Sequence, residues 1–425
     1  MFSLKGERPW IRNTIFISIS IFFLFCLYTV LVHGNEHLLG SFVEFDNDDV
    51  KYVRSAWTLL DKGIFTYHDV NESTVFIMPG LPFVMAGFMS IFGKWGGITA
   101  FRVFQVVIQS LSLYLIFLIG RRLFNSKVGV ISLILSALYL PNIWTPNILL
   151  TEVIFHFLFL LLVYITIYAV ECNKLSYYIS GGIVLGITGL FRPTIGAYPI
   201  IVLILWIYNK YTFKDMVKLT IIVTTVFALV MSPWIIRNYK TFNRFIPFTL
   251  SSGNPLIQGS YIDYNEEIDF YPWENVDDRV EQEKYYKENF KYRFKHYMVK
   301  RPLAYIKWYL LDKSIELWKY PFYWGQIYSI KFSYIEVYHA LLLVIGAIGM
   351  AKIYVGYKEK KYKSTALILF QIFAYFTIIH IPYVTFSRYS YPLIWIFIIG
   401  TSVVLEKVLD LYYKSKKESS PGHKI

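Results

Sequence analysis

The chain has 425 residues, of which 56% are hydrophobic, 19% aromatic and only 17% charged, with a formal net charge of +13. Soluble domains carry about 25% charged residues, so this composition excludes an ordinary water-soluble fold and makes the bilayer the natural solvent. The excess positive charge does not mark a nucleic-acid binder, because the basic residues gather in short stretches between apolar segments, as topology signals facing anionic lipid do.

Lys5, Arg8 and Arg12 precede an apolar run from Thr14 to Val32. That run has full spanning length and no small-residue cleavage site after it, so an uncleaved first helix is expected. Candidate spans follow at 14–33, 98–120, 128–143, 147–170, 176–191, 194–209, 216–236, 335–355, 364–381 and 389–408. A further apolar stretch, 76–92, begins with Pro79-Gly80-Leu81-Pro82, and charge decides how it is read. If it does not cross, Arg121, Arg122, Lys127, Lys174, Lys210, Lys214, Lys218 and the lysines of 352–363 and 414–417 share the side of the N-terminus. If it crosses, every later loop inverts against the positive-inside rule. A re-entrant or interfacial helix is therefore expected at 76–92, with both termini cytoplasmic. The fold class is an all-α polytopic membrane protein of about ten transmembrane helices with two extracytoplasmic loops containing interfacial helices.

Three regions follow. Residues 1–236 form an N-terminal transmembrane module that includes the first outer loop, 34–97. Residues 237–334 form a large outer loop, and residues 335–425 the last helices and a basic cytoplasmic tail. Within the large loop, 279–318 places apolar and aromatic residues at helical spacing, which predicts helices on the membrane surface. Its aromatic residues (among them Tyr261, Tyr271, Trp273, Trp308, Trp318 and Trp324) read as an interfacial belt or as sugar-stacking platforms. Cys26 and Cys172 lie in different apolar segments and give neither a disulfide framework nor a zinc signature.

Chemistry concentrates where the first span ends. Four carboxylates, Glu44, Asp46, Asp48 and Asp49, fall within six positions. The stretch from Asp48 to Leu60 has helical spacing with Asp48 at its N-cap. The acidic pair serves as a helix cap in a solvated loop or as a general base or metal ligand held at the membrane surface. Arg237, Arg192, Arg388 and Arg102 all fall near the outer end of a span, where each either snorkels to the interface or grips a phosphate. Arg237 ranks first among them and Arg388 second. Glu152 opens a span with His156 one turn later on the same face; it complements the helix dipole, or it meets a divalent cation or sugar hydroxyls. No third metal ligand is evident, and the metal stays unknown. Gln105, Gln109 and His380 read as hydrogen-bond partners between helices.

The order of short motifs then resembles a known family. Asp48-Asp49-Val50-Lys51-Tyr52, followed by Ala56, Leu60 and Gly63, resembles the acidic loop of the protein mannosyltransferase-like family (glycosyltransferase family 39, GT-C fold). The later pieces agree in order: Pro79-Gly80-Leu81-Pro82, Arg102, Arg121-Arg122-Leu123-Phe124, Leu150-Thr151-Glu152, Phe191-Arg192-Pro193, Pro233-Trp234 with Arg237, and Arg388-Tyr389-Ser390-Tyr391-Pro392. The resemblance implies a GT-C-like bundle that moves a sugar from a polyprenyl-phosphate donor to an extracytoplasmic acceptor, whether protein, lipid or glycan. It implies Asp48 as the catalytic acidic residue and Asp49 as the second acidic position, with Lys51 and Tyr52 near the donor. Arg192, Arg237, Arg388 and Glu152 complete the expected donor-phosphate or substrate set. No cofactor is demanded, although a divalent cation has a place; separately, the richness in Lys, Ile, Asn and Tyr suggests an AT-rich bacterial genome and hence the bacterial plasma membrane as the setting. One departure stands out: several members carry a Lys before the Pro-Pro of the re-entrant segment, where this chain has Ile77-Met78 before Pro79. The competing functions are a lipid-linked oligosaccharide polymerase or ligase, which relies on Arg and His of the large loop, and a transporter or flippase, which calls for an internal repeat and paired broken helices.

Overall fold

The computed structural model describes residues 1–265 and 279–419, and among them every regular element is helical. In chain order these are α1 (Pro9–His33), α2 (Asp48–Lys62), α3 (Gly80–Leu123), α4 (Ser126–Leu138), α5 (Pro141–Trp144), α6 (Glu152–Cys172), α7 (Leu175–Gly189), α8 (Pro199–Tyr208) and α9 (Phe213–Phe242). They continue with α10 (Gly253–Gly259), α11 (Arg279–Lys300), α12 (Pro302–Lys307), α13 (Lys313–Lys319), α14 (Phe332–Lys358), α15 (Ile368–His380), α16 (Ser387–Ser390) and α17 (Trp395–Ser419). Each expected span overlaps a helix or a bent pair of helices. By length and apolar character, 5 helices are able to cross a membrane, or up to 7 if the bent pairs at 126–147 and 387–416 each count as one span. Pro141 and Pro392 sit at those bends, where a missing N–H lets the axis turn by 65° and 50°. The remaining expected spans are the shorter apolar helices Leu175–Gly189, Pro193–Tyr208 and Ser364–His380. The ten-span expectation thus rests partly on helices too short to be counted by length alone.

The stretch 76–92 is resolved by one backbone angle. Inside α3, Gly93 takes φ 74° and ψ 168°, a conformation that splits the helix into arms 80–92 and 94–123. The arms fold back on each other so closely that a side chain at Gly97 would strike the Met89 backbone at 2.5 Å. The first arm is short and reverses at once, and the residues just after the turn meet α2 through Lys94 to Asp61 and Trp95 against Trp57. That is the shape of a re-entrant hairpin.

At the centre stands α6, with 83% of its apolar window enclosed, against 28% for the peripheral α1 and 17% for α9. The outer helices accordingly present Phe16, Ile21, Leu24 and Leu31 (α1) and Ile221 and Leu229 (α9) outward, as lipid-facing surfaces do. Small residues bring α14 and α17 together: Gly349 and Gly400 leave no room for a methyl between the two backbones. Of the polar residues expected to join helices, Gln105 bonds to the carbonyls of Pro146 and Ile148, and Gln109 donates to the Tyr391 hydroxyl. His380 instead bonds to Phe376 of its own helix.

One end of the bundle collects the basic turns. Arg121 reaches Ser3 and Glu7, Arg122 and Lys363 both meet Glu171, and Lys127 pairs with Asp410. The N-terminal segment, the α3–α4 and α6–α7 turns, the stretch before α15 and the far half of α17 therefore lie together. At the opposite end lie α2, α10 to α13 and α16. The expected helices of 279–318 are present as α11 to α13. They fold onto α10 through Arg293 to Ser260, Tyr305 to the Ser260 carbonyl and Trp308 to the Gly259 carbonyl. Trp308 and Trp318 are buried, so they are packing residues, whereas Trp324 is half-exposed. Tyr271 and Trp273 lie outside the described residues.

Candidate active site

The start of α2 differs from expectation by one residue, and the difference matters. Asn47, not Asp48, caps the helix, its side chain accepting the Asp48 N–H at 2.7 Å. Asp48 is the first helical residue, so its carboxylate is not spent on the backbone and turns toward other side chains. One oxygen accepts from the Tyr67 hydroxyl at 2.5 Å and the other from Arg388 Nη1 at 2.8 Å. The Asp48 side chain is 44% exposed and so open to solvent on its remaining side.

Arg388 carries the contact inward. Its Nε donates to Glu152 Oε1, which also accepts from Arg192 Nη2. Arg192 Nε is fixed by the Thr151 hydroxyl at 2.8 Å, and its guanidinium lies over the Phe155 ring at 5.3 Å. Glu152 is 0% exposed, and its second oxygen has no partner among the described residues. Four charges, Asp48, Arg388, Glu152 and Arg192, thus form a continuous chain from the surface into the mouth of α6. The charges balance, which is the condition for holding ions at such depth. One turn below Glu152, His156 is buried with neither ring nitrogen bonded, its ring facing Tyr391 at 5.8 Å.

The other expected residues fall around this chain. Tyr52 is buried beside it, its ring 5.6 Å from that of Tyr67. Burial and the charge of Asp48 push its hydroxyl pKa up. Lys51 reaches the Asp46 carbonyl at 3.4 Å and adds a positive field at Asp48. Asp49, expected as the second member of the acidic pair, faces away from the arginines. It is fully buried, with one oxygen accepting the Leu39 N–H at 2.7 Å and the other the Val50 N–H at 2.9 Å. This carboxylate pins the 38–40 turn against α2. Arg237 also stands outside the four-residue chain: Nη1 donates to the Thr74 carbonyl at 2.7 Å, and the guanidinium packs among Phe65, Trp234 and Phe242. It holds the base of the 64–76 loop, which supplies Tyr67. Arg102 is buried elsewhere, bonded to Asn35 and to the Asn147 carbonyl.

Electrostatics separates the two aspartates. Burial acts to raise the Asp48 carboxyl pKa, but the Arg388 charge and the hydrogen bonds from Tyr67 and Arg388 hold it below the ordinary carboxylate range. For Asp49 burial prevails over its two backbone hydrogen bonds, and the carboxyl is raised. Asp48 is the ionised group at neutral pH that also meets solvent.

Sequence reasoning passed over two residues. Tyr67 was one aromatic among many in an outer loop. Arg54 fastens that loop by donating to the carbonyls of Tyr67 and His68 at 2.8 and 2.9 Å, and nothing in its neighbours advertised the role. No group of three or more His, Cys, Asp or Glu side chains suited to a metal ion occurs among the described residues.

Comparison with known proteins bears on the fold. Residues 78–236 match the family described as dolichyl-phosphate-mannose-protein mannosyltransferase. The match takes in 159 of the 425 residues, so it is a resemblance over that stretch of the chain. The family match runs from just before α3 into α9 and includes Glu152 and Arg192, stopping one residue short of Arg237. The oligosaccharyltransferase AglB of Archaeoglobus fulgidus, solved with an inhibitory peptide and a dolichol-phosphate, superposes with a TM-score of 0.56 at 14% identity. That alignment covers 99% of this chain and 53% of AglB. ArnT of Cupriavidus metallidurans bound to undecaprenyl phosphate gives 0.53 at 13% identity, over 95% of this chain and 61% of ArnT. The chain therefore spans a little over half the length of these solved relatives, and at such identities the likeness is one of fold. No curated protein sequence matches the chain significantly.

Proposed function

We propose that this chain is an integral membrane glycosyltransferase that moves a sugar from a polyprenyl-phosphate carrier to an acceptor on the extracytoplasmic face, with Asp48 as general base. The observation that carries the reading is the bridge made by Arg388, one guanidinium gripping both the exposed Asp48 and the buried Glu152. The basic end of the bundle, by the positive-inside rule, faces the cytoplasm, which sets the Asp48 cluster on the outer side. The dolichol-phosphate held by AglB and the undecaprenyl phosphate held by ArnT support a lipid-linked donor of the same class.

The chemistry then follows from the charges. The acceptor hydroxyl gives its proton to Asp48 as its oxygen attacks the anomeric carbon. The bond from that carbon to the phosphate oxygen breaks, and the carrier phosphate leaves with the electron pair. Each Asp48 oxygen accepts one hydrogen bond in the resting arrangement and keeps a lone pair on its open side for the acceptor hydroxyl. Arg388 exchanges Asp48 for a phosphate oxygen of the donor, its planar fork suiting either anion, which makes the carboxylate a stronger base. Arg192 and Arg388 then stabilise the growing charge on the leaving phosphate, while Glu152 keeps both guanidinium groups aimed. The Lys expected before the Pro-Pro segment is replaced here by buried Ile77 and Met78. Arg192 supplies a cation nearby, because the Gly80 N–H donates to the Leu190 carbonyl two residues before it.

The test supplies radiolabelled polyprenyl-phosphate sugars to membranes containing the protein. Asp48→Asn is expected to lower transfer by roughly 1,000-fold with expression and insertion unchanged; near-normal turnover would remove Asp48 from the mechanism. The lowered carboxyl pKa fixes the sign of the pH dependence. Asp48 stays ionised through neutral pH, and the acid limb of the rate falls below the ordinary aspartate range of about 4.

A further inference from the structure

The end of the bundle opposite Asp48 holds a polar cavity of about 400 Å³. Its walls bring together Lys5, Arg121, Arg122 and Lys363, with Phe124 and Tyr168 as the aromatic side. These cations come from three separate stretches of the chain, so the pocket is built by the fold and is not one run of basic sequence. Two carboxylates answer them. Glu7 meets Arg121 at 3.4 Å, and Glu171 is shared by Arg122 and Lys363, the latter at 3.5 Å. Positive charge remains in excess. The Lys5 ammonium makes no hydrogen bond or ion pair among the described residues, where only its backbone N–H is bonded. Arg122 lies over the Tyr168 ring at 4.4 Å, yet its buried Nε has no partner. A free ammonium and a spare guanidinium donor around a cavity of ligand size are the ingredients of a phosphate site.

We propose that this pocket binds the phosphate headgroup of an anionic phospholipid from the leaflet at that end of the bundle. The pocket opens at the ends of apolar helices, at the level where charged turns meet headgroups, and not in a soluble domain. Basic pockets between spanning helices on the cytoplasmic side take such headgroups. The segment that forms its rim is already laid across the helix ends. Tyr164 donates to the Met1 carbonyl at 2.5 Å and Arg121 to the Ser3 carbonyl at 3.0 Å, while the exposed Phe2 side chain stands at the edge. A bound headgroup fastens residues 1–5 to α3 and α6 through Lys5 and the paired arginines.

The experiment measures the thermal unfolding midpoint of the purified full chain in non-ionic detergent, titrated separately with phosphatidylglycerol, phosphatidylcholine and inorganic phosphate. Phosphatidylglycerol is expected to raise the midpoint by several degrees, with little change from the other two. Lys5→Gln with Lys363→Gln is expected to remove most of that rise, and native mass spectrometry is expected to show fewer phosphatidylglycerol molecules retained. Should the double variant fold poorly, Lys5→Gln alone serves, since Lys5 has no partner to lose, and is expected to weaken the rise measurably. An equal rise with phosphatidylcholine, an equal rise with inorganic phosphate, or a full rise in the variants would each overturn the assignment. None of these readouts involves sugar transfer, so failure here is separable from failure of the proposed activity.

Discussion

The two ends of the helical bundle use arginine in opposite ways. At the Asp48 end, Arg192 and Arg388 meet Glu152 at zero exposure, and the charges of the chain cancel. At the far end, the cations around the cavity outnumber the carboxylates that answer them, and partial exposure makes the excess tolerable. A buried guanidinium must be paired because desolvation costs more than a lone charge recovers, whereas a cation at the headgroup level is stabilised by solvent and by anionic lipid. Residue type alone therefore does not tell an anchoring arginine from a reactive one. The number and burial of its acidic partners do.

The sharpest way to break this contrast is at Arg388. Replacing it with Lys keeps the charge but loses the fork that spans Asp48 and Glu152. Transfer from a lipid-linked donor is expected to fall by roughly 100-fold, since an electrostatic clamp of this kind contributes on that order. The same exchange at Arg122 is expected to leave transfer within about twofold, because surface ion pairs contribute little. Comparable losses at the two positions would show that the ends are not functionally distinct.

A milder break tests Arg237, which the sequence ranks first for phosphate and the geometry places at the loop base. Arg237→Ala is expected to lower donor use by roughly 10-fold by loosening the loop that positions Tyr67. The discriminating control is Tyr67→Phe, which removes the hydroxyl bonded to Asp48 but leaves Arg237 and its carbonyl contacts in place. If Arg237 acts only through the loop, the acid limb of the pH–rate profile moves upward in both variants, because Asp48 loses a hydrogen bond that holds its pKa down. A donor affinity loss with an unmoved acid limb would put Arg237 on the phosphate itself.

Much of this arrangement was legible in the chain before any geometry. Hydropathy and the positive-inside rule separated the two ends, and they placed 76–92 as a segment that turns back. Asp48, Glu152, Arg192 and Arg388 were each visible as ionisable residues at the same end of different spans. Their meeting was not visible. Arg192 is 40 residues from Glu152, and Arg388 is 236 from Glu152 and 340 from Asp48, so their contact depends on helix rotation and tilt that periodicity does not specify. For the same reason proximity to a span end does not tell that Arg388 meets Asp48 and Glu152 while Arg237 meets the Thr74 carbonyl. The single-residue slip between Asn47 and Asp48 has a different cause: both are good caps, and backbone angles choose between them. The span count is least legible at α7, α8 and α15, whose apolar character is clear but whose helices are short.

Lys313 offers the smallest and most physical test of the same contrast, because it is a buried cation with no acidic partner among the described residues. It is fully buried on α13, which packs against α16 and so against the segment that carries Arg388. Its ammonium donates to the Gly259 carbonyl at 2.9 Å and lies 4.5 Å from the Tyr309 ring centre. Burial pushes its pKa down to about 7. The folded state then binds fewer protons than the unfolded state between roughly pH 7 and the ordinary lysine value of about 10.4, so stability rises with pH across that window and levels off below it. Lys313→Met keeps the volume and removes the titration, while the Gly259 carbonyl retains the Trp308 indole at 3.1 Å. The variant is expected to unfold at a higher temperature than the parent at pH 7, with the difference shrinking toward pH 10 and sugar transfer changed by no more than about twofold. Were the parent's midpoint flat over that range, or the variant less stable at pH 7, the ammonium would have to be paired in the folded protein, and the rule that burial demands a partner would hold at this position too.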